Sequence, residues 1–266
     1  MLVFVVPLKS CSVTKSWDYV SRLFERSLRS ACAQTSPQFK VIVVHHEKPE
    51  IGFSHPAVIY LGVDFHVPGF NDRTAQNRDK YRKLAAGFIA ARELHATHVM
   101  ELNADDCVSN RLAEWVRQHP QTPGWFFERG YFYRDGTRRI YRKAGEFYQW
   151  CGTSNIIRYD LLRLPERREI ESADSRFFGH FWLKEKIAVS GAALMPLPFP
   201  GAVYVQTKSG EATHTRGVIA WTFKHRQPAW LLHQAEQYIL NRTRSEPLMP
   251  EIEAEFGLYA LDSSPL

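Results

Sequence analysis

Two adjacent carboxylates, Asp105 and Asp106, close a short apolar run in His98-Val-Met-Glu-Leu-Asn-Ala-Asp-Asp-Cys-Val-Ser109. Side by side they repel each other unless a proton or a cation intervenes. A hard divalent ion that also holds phosphate oxygens is one economical partner for such a pair. The plainer alternative is an Asp turn that caps the next helix. Val99, Met100 and Leu102 read as a buried strand. Ser109 reads as the N-cap of a helix whose Leu112, Trp115 and Val116 have helical spacing. The pair is therefore expected at the carboxyl end of a strand, where open α/β sheets bind ligands.

Other residues with chemical potential are scattered along the chain. His45, His46 and Glu47 end an apolar run. Asp79, Lys80 and Lys83 open a long helical pattern, with Asp79 and Lys83 spaced as an i,i+4 pair. Trp150-Cys-Gly-Thr-Ser154 places small residues after an aromatic, which suits close approach of a ligand or a tight packing turn. His180 has the pKa range of a general base, and Glu171 and Asp174 lie close to it in sequence. His214 is a further imidazole suited to Mn²⁺. Cys11, Cys32, Cys107 and Cys151 show no metal-ligand spacing, so zinc is not expected and reduced thiols are.

The elements that must position these groups follow from periodicity. Strands are expected at residues 2–7, 40–45 and 58–61, and in the run that ends at Asp105. Helices are expected after Ser16, with Trp17, Val20, Leu23, Phe24 and Leu28 inward, and over Thr74 to Leu94. The β-α-β-β-α-β alternation predicts an open, mostly parallel sheet with helices on both faces. Beyond it, Trp125 to Tyr148 reads as a hairpin with a type I′ turn at Asp135-Gly136. Strands at 155–158, 192–195 and 202–206 and a helix at 178–187 follow. A last helix is expected within 221–242, and the tail after Ser245 as irregular. The length of 266 residues suits one domain. We divide it into residues 1–108, residues 109–215, and a C-terminal helix and tail at 216–266.

No apolar run reaches the roughly 20 residues that span a bilayer. Residues 1–7 lack the flanks of a signal peptide, so a cytoplasmic protein is expected. The net charge of +6 suits an anionic partner.

The layout resembles GT-A glycosyltransferases, nearest to family 2-like enzymes. The matching pieces are Val5-Val-Pro7, Val41-Ile-Val-Val44, Leu84-Ala-Ala-Gly-Phe-Ile-Ala-Ala91 and Asn103-Ala-Asp-Asp106, within residues 2 to 206. The resemblance implies a nucleotide-sugar donor, UDP-linked by preference, and a saccharide or glycolipid acceptor, with no nucleic acid. It implies that Pro7, Lys9, His45, Glu47, Asp79, Lys83, Asn103, Ala104 and Asp105 meet the donor. Trp150, Gly152 and Thr153 would face the acceptor. Asp105, Asp106 and His214 would hold Mn²⁺ or Mg²⁺. His180 or Asp174 would be the base of an inverting transfer in cell-surface glycan synthesis. Asn103 departs from the usual Asp; it can bond a sugar hydroxyl but adds no charge.

Two other readings compete. Pro7 to Trp17 resembles a sulfotransferase phosphate loop without its glycine. A non-catalytic GT-A binding protein is the other. The aromatic and basic residues of 221–244 suit core packing, or else docking on a membrane surface.

Overall fold

The computed structural model describes residues 1–162, 164, 170, 179–207 and 243–261, with the side chains of 180–182 left aside. Apolar alternation and β-branched residues build β1 (Leu2–Pro7), β2 (Phe39–His45) and β3 (Val58–Gly62). Between β1 and β2 lies α1 (Trp17–Cys32), whose Ser16 hydroxyl accepts from the Tyr19 N–H at 3.2 Å. After β3 comes α2 (Arg73–Ala91), capped by Asp72. It leads to β4 (His98–Glu101), β5 (Cys107–Val108) and α3 (Leu112–Gln118). Next are β6 (Gly124–Phe126), β7 (Gly130–Arg134), β8 (Arg139–Lys143) and β9 (Asn155–Arg158). The helix α4 (His180–Val189), β10 (Met195–Pro196), β11 (Ala202–Gln206), β12 (Glu246–Pro247) and α5 (Pro250–Phe256) complete the described elements.

The main sheet runs β10-β6-β9-β4-β1-β2-β3, parallel throughout except for β9. This is the mixed α/β, mostly parallel architecture that the alternation predicts. Its two faces carry different helices. Leu2, Phe4 and Val6 share one core with Phe24 and Leu28 of α1 and Leu112 and Val116 of α3. Val3 and Val5 share the opposite core with Leu84, Ala85 and Phe88 of α2. A smaller sheet, β12-β8-β7-β11-β5, stands beside it.

The topology itself places the site. The chain leaves β1 toward β2 and β3, then crosses back to place β4 on the other side of β1. The loops that leave β1 and β4 thus diverge and open a crevice at their carboxyl ends. The helix α2 roofs that crevice, and Gly87 lets it settle. A Cβ there would overlap Val5 Cγ1 and lie 3.0 Å from Val44 Cγ2. Gly87→Ala is expected to cost about 2 kcal/mol through overpacking, read as a lower urea midpoint. An unchanged midpoint would mean α2 is not seated this closely.

Several expectations are corrected. The strand before the acidic pair ends at Glu101, and Leu102 to Asp106 form the loop after it. The cap of α3 is Arg111, not Ser109; the Ser109 hydroxyl accepts from Arg111 N–H and donates to Glu255. The hairpin is β7–β8 alone, because Trp125 belongs to the main sheet. Its turn is not type I′, which needs positive φ at both central residues; Gly136 has it and Asp135 does not. Asp135 is instead drawn inward by Arg26 and Tyr19, each at 2.7 Å. The tail from Ser245 to residue 261, the described part, is ordered. Pro250 starts α5, Gly257 ends it with a left-handed φ of 58°, and Phe256, Leu258 and Leu261 are buried. Pro at a first turn and Gly past the last was a readable signal. The helix expected within 221–242 lies outside the described residues.

Candidate active site

The crevice is a cleft of about 1060 Å³, its open mouth included. That is the scale of small-ligand sites. The loop after β1 supplies Pro7, Leu8 and Lys9, and the loop after β4 supplies Asn103, Ala104 and Asp105. The first turns of α2 add Arg73, Gln76, Asn77, Asp79, Lys80 and Lys83, which recur at three- and four-residue spacing on one face. Of the residues expected to meet a donor, Pro7, Lys9, Asp79, Lys83, Asn103, Ala104 and Asp105 converge here.

Their roles separate on inspection of their partners. Lys83 is fully buried and donates to Leu8 O and Asp79 Oδ2, both at 2.7 Å. Burial lowers its pKa, and Asp79 partly offsets this. The Asp79 Oδ1 atom accepts from His46 Nε2 at 2.7 Å. Asp79 and Lys83 therefore brace α2 against the β1 loop and the end of β2. Glu47 braces the same loop through Ser10 Oγ at 2.9 Å and Cys11 N–H at 3.2 Å. These donors outweigh burial and hold its carboxyl below the usual range. Glu47 and His45 do not line the cleft. His45 is buried edge-on against Tyr60, and burial lowers its pKa.

The acidic pair divides in the same way. Asp106 is fully buried and points away from the cleft lining. Its Oδ2 accepts from Thr153 Oγ1 at 2.7 Å, Asn103 Nδ2 at 2.9 Å and Cys151 Sγ at 3.2 Å. Its Oδ1 accepts from Val205 N–H at 3.1 Å. Burial raises its pKa and these donors work against the rise. Asp106 is therefore a structural hub, held by four donors. Asp105 lines the cleft. Burial and the Asp106 charge push it up to about 7.

Asn103 links the two acids to α2. Its N–H donates to Thr153 Oγ1, and its Oδ1 accepts from Lys80 Nζ at 2.9 Å. Lys80 Nζ also lies 2.6 Å from Glu101 Oε1. Burial works against the Lys80 charge, but Glu101 outweighs it and holds the ammonium protonated. Burial conversely raises Glu101, with Lys80 opposing. Sequence reasoning named Lys80 at the start of the helix without giving it a role, and passed over Glu101. Glu101 was visible as a lone acid inside an apolar strand, and Lys80 as the helix position facing it.

The expected acceptor residues do not line the cleft. Thr153 is fully buried and serves Asn103 and Asp106. Trp150 packs beside Phe132 and Lys143. Gly152 abuts the site from behind: a Cβ would lie 2.7 Å from Glu101 Oε1 and 3.2 Å from Asn103 Nδ2. His180 opens α4, with its side chain outside the described residues. Glu171, Asp174 and His214 also lie outside them. Among the described residues, no three His, Cys, Asp or Glu side chains group to hold a metal ion. Of the three expected ligands, Asp105 is the described one that lines the cleft, and a single carboxylate fits a hydrated ion whose other ligands are phosphate oxygens and water.

Fold and cleft together define a mixed α/β protein with a crevice at its strand-switch point, lined by charged and amide side chains over an apolar base. No family model and no curated protein sequence matches the chain. Among solved structures it is similar to S. aureus TarS 1–349 in complex with UDP. The identity is 10%, the TM-score 0.47, and the match covers 77% of this chain and 60% of that one. It is also similar to Francisella tularensis 2-C-methyl-D-erythritol 4-phosphate cytidylyltransferase, at 11% identity and TM-score 0.37, over 83% and 97% of the two chains. The chain thus spans about 60% of the TarS fragment it matches. No described helix is long and apolar enough to cross a membrane.

Proposed function

We propose that this chain is a glycosyltransferase that seats a nucleotide-sugar, UDP-linked by preference, in the cleft between the β1 loop, α2 and the β4 loop. The observation that carries this reading is the meeting of Lys9, Arg73 and Lys80 with Asn103-Ala104-Asp105 where the fold opens. A departing nucleoside diphosphate gathers negative charge, and fixed cations facing it lower the barrier. The exposed Arg73 reaches the cleft from the first turn of α2, and a guanidinium suits forked phosphate contacts. A divalent ion, Mn²⁺ or Mg²⁺, when bound, would have Asp105 as its protein carboxylate and would add Lewis-acid stabilisation. His180 or Asp174 is the base assigned to an acceptor saccharide hydroxyl, with inversion at the anomeric carbon. A glycolipid acceptor would bring the chain to a membrane surface.

Calorimetry with UDP, GDP, CMP and dTDP, each with and without Mn²⁺, tests the reading. One nucleoside diphosphate is expected to bind, and more tightly with Mn²⁺. Arg73→Ala is expected to weaken that binding about tenfold. Failure of all four nucleotides to bind under both conditions would sink the reading.

A further inference from the structure

Lys80 stands apart from the other cations of the cleft. Lys83 is sealed from solvent and spent on the Leu8 carbonyl and Asp79. The Lys80 side chain keeps 19% exposure, lines the cleft, and lies between Glu101 and Asn103. An ammonium has three donors. Asn103 Oδ1 takes one of them, and Glu101 Oε1 stands 2.6 Å from the ammonium as its ion-pair partner. Behind the pair, Gly152 closes the space so tightly that any side chain would press on Glu101. Glu101 and Lys80 are thus held from three sides, by β4, α2 and the 150–153 loop. A buried carboxylate that fixes a cation at the floor of a cleft is an arrangement for presenting charge to a ligand.

The second acid of the pair, meanwhile, is consumed by the fold. Asp106 gives its lone pairs to Thr153, Asn103, Cys151 and Val205. Of the cleft-lining carboxylates, Asp79 is taken by Lys83 and His46, which leaves Asp105 to share the cleft with the Lys80 ammonium and with Lys9 and Arg73. Resting on the nucleotide-sugar reading, we propose that Lys80 is a resident cation of the diphosphate subsite, so that the chain binds a nucleoside diphosphate without a divalent ion. The Glu101 carboxylate is the positioning residue that aims the ammonium, and Asn103 Oδ1 fixes its second donor. A divalent ion then strengthens binding through Asp105 but is not required for it.

The test compares nucleotide affinity in chelator and in Mn²⁺ for the intact chain and three variants. The probes are UDP, GDP, CMP and dTDP, with inorganic pyrophosphate as a nucleoside-free diphosphate. The unaltered chain is expected to bind one of them in chelator, within about tenfold of its affinity in Mn²⁺. Lys80→Met is expected to lose at least about tenfold in chelator and less in Mn²⁺. Lys80→Met strands Glu101 as a buried charge, so the double variant Lys80→Met with Glu101→Gln is made as well. It removes both charges, and it is expected to keep a cooperative thermal transition while still binding poorly in chelator. Glu101→Gln alone is expected to weaken binding in chelator by about threefold, less than Lys80→Met does, because the ammonium remains but is no longer aimed by a carboxylate. If the double variant binds in chelator as the unaltered chain does, Lys80 only neutralises Glu101 and the proposal is overturned. Binding by the unaltered chain in Mn²⁺ but not in chelator overturns it too, and leaves the glycosyltransferase reading standing. No binding under either condition overturns both.

Discussion

Asp106→Ala is expected to cost about 4 kcal/mol of unfolding free energy near neutral pH, summing the stranded donors conservatively. The carboxylate receives the Thr153 hydroxyl, the Asn103 amide, the Cys151 thiol and the Val205 backbone N–H. Thr153, Cys151 and Val205 are buried and Asn103 is half-buried, and without Asp106 the buried donors lose this acceptor. The damage reaches beyond one contact. Asp106 holds the β4 loop to the 151–154 turn and to β11, whose ladder with β5 covers only Ala202 and Val203. Equilibrium urea unfolding reads the effect as a large drop in midpoint. A loss below about 1 kcal/mol would mean that the Asp106 contacts are not made in solution.

Asp105→Asn is expected to act in the opposite direction on stability and to abolish transfer. Asp105 titrates near 7 in the fold and near 3.8 in an unfolded chain. Between those values the folded protein holds a proton that the unfolded chain has released. Stability therefore falls as pH rises through this window and levels off above about 7. Asparagine carries no charge and removes that slope. Because Asp105 is only partly buried, we expect a gain of about 2 kcal/mol above pH 7 and none at pH 4. Urea midpoints of both proteins across that range check the sign. A variant no more stable at pH 8 than the unaltered chain would mean that Asp105 is solvated. Transfer is expected to fall at least about a hundredfold, the scale of losing one charge-stabilising group in a reaction site. Undiminished transfer by Asp105→Asn would remove this residue from the site. Gained stability together with lost transfer is the mark of a residue strained for function.

Why the sequence did not separate the surroundings of the two Asp residues is a matter of direction. Both follow the same strand, and their adjacency is plain in the chain. Which of two consecutive loop residues faces a cleft depends on the loop's path. That path is set by Thr153 and Val205, 47 and 99 residues away. Asp79 and Lys83 show the same limit. Their i,i+4 spacing was legible and their ion pair forms, but it is buried under the β1 loop and turned to Leu8 and His46.

The sequence by itself determined the strands, the main helices and the order in which they alternate. Period-two and period-3.6 apolar patterns are local, and they act over a few residues. The bounds of β1, β9 and β11 and the Ser16 cap followed from such patterns alone. The convergence of the β1 loop, the start of α2 and the β4 loop followed from the right-handed crossovers of a parallel sheet. What only the tertiary structure decided is which polar groups in that crevice face outward and which hold the fold together. Thr153, Trp150 and Asp106 turned inward, while Lys80 and Asp105 stayed at the cleft. Buried polar atoms must find partners wherever the chain returns, and those returns lie tens of residues away, beyond any local pattern.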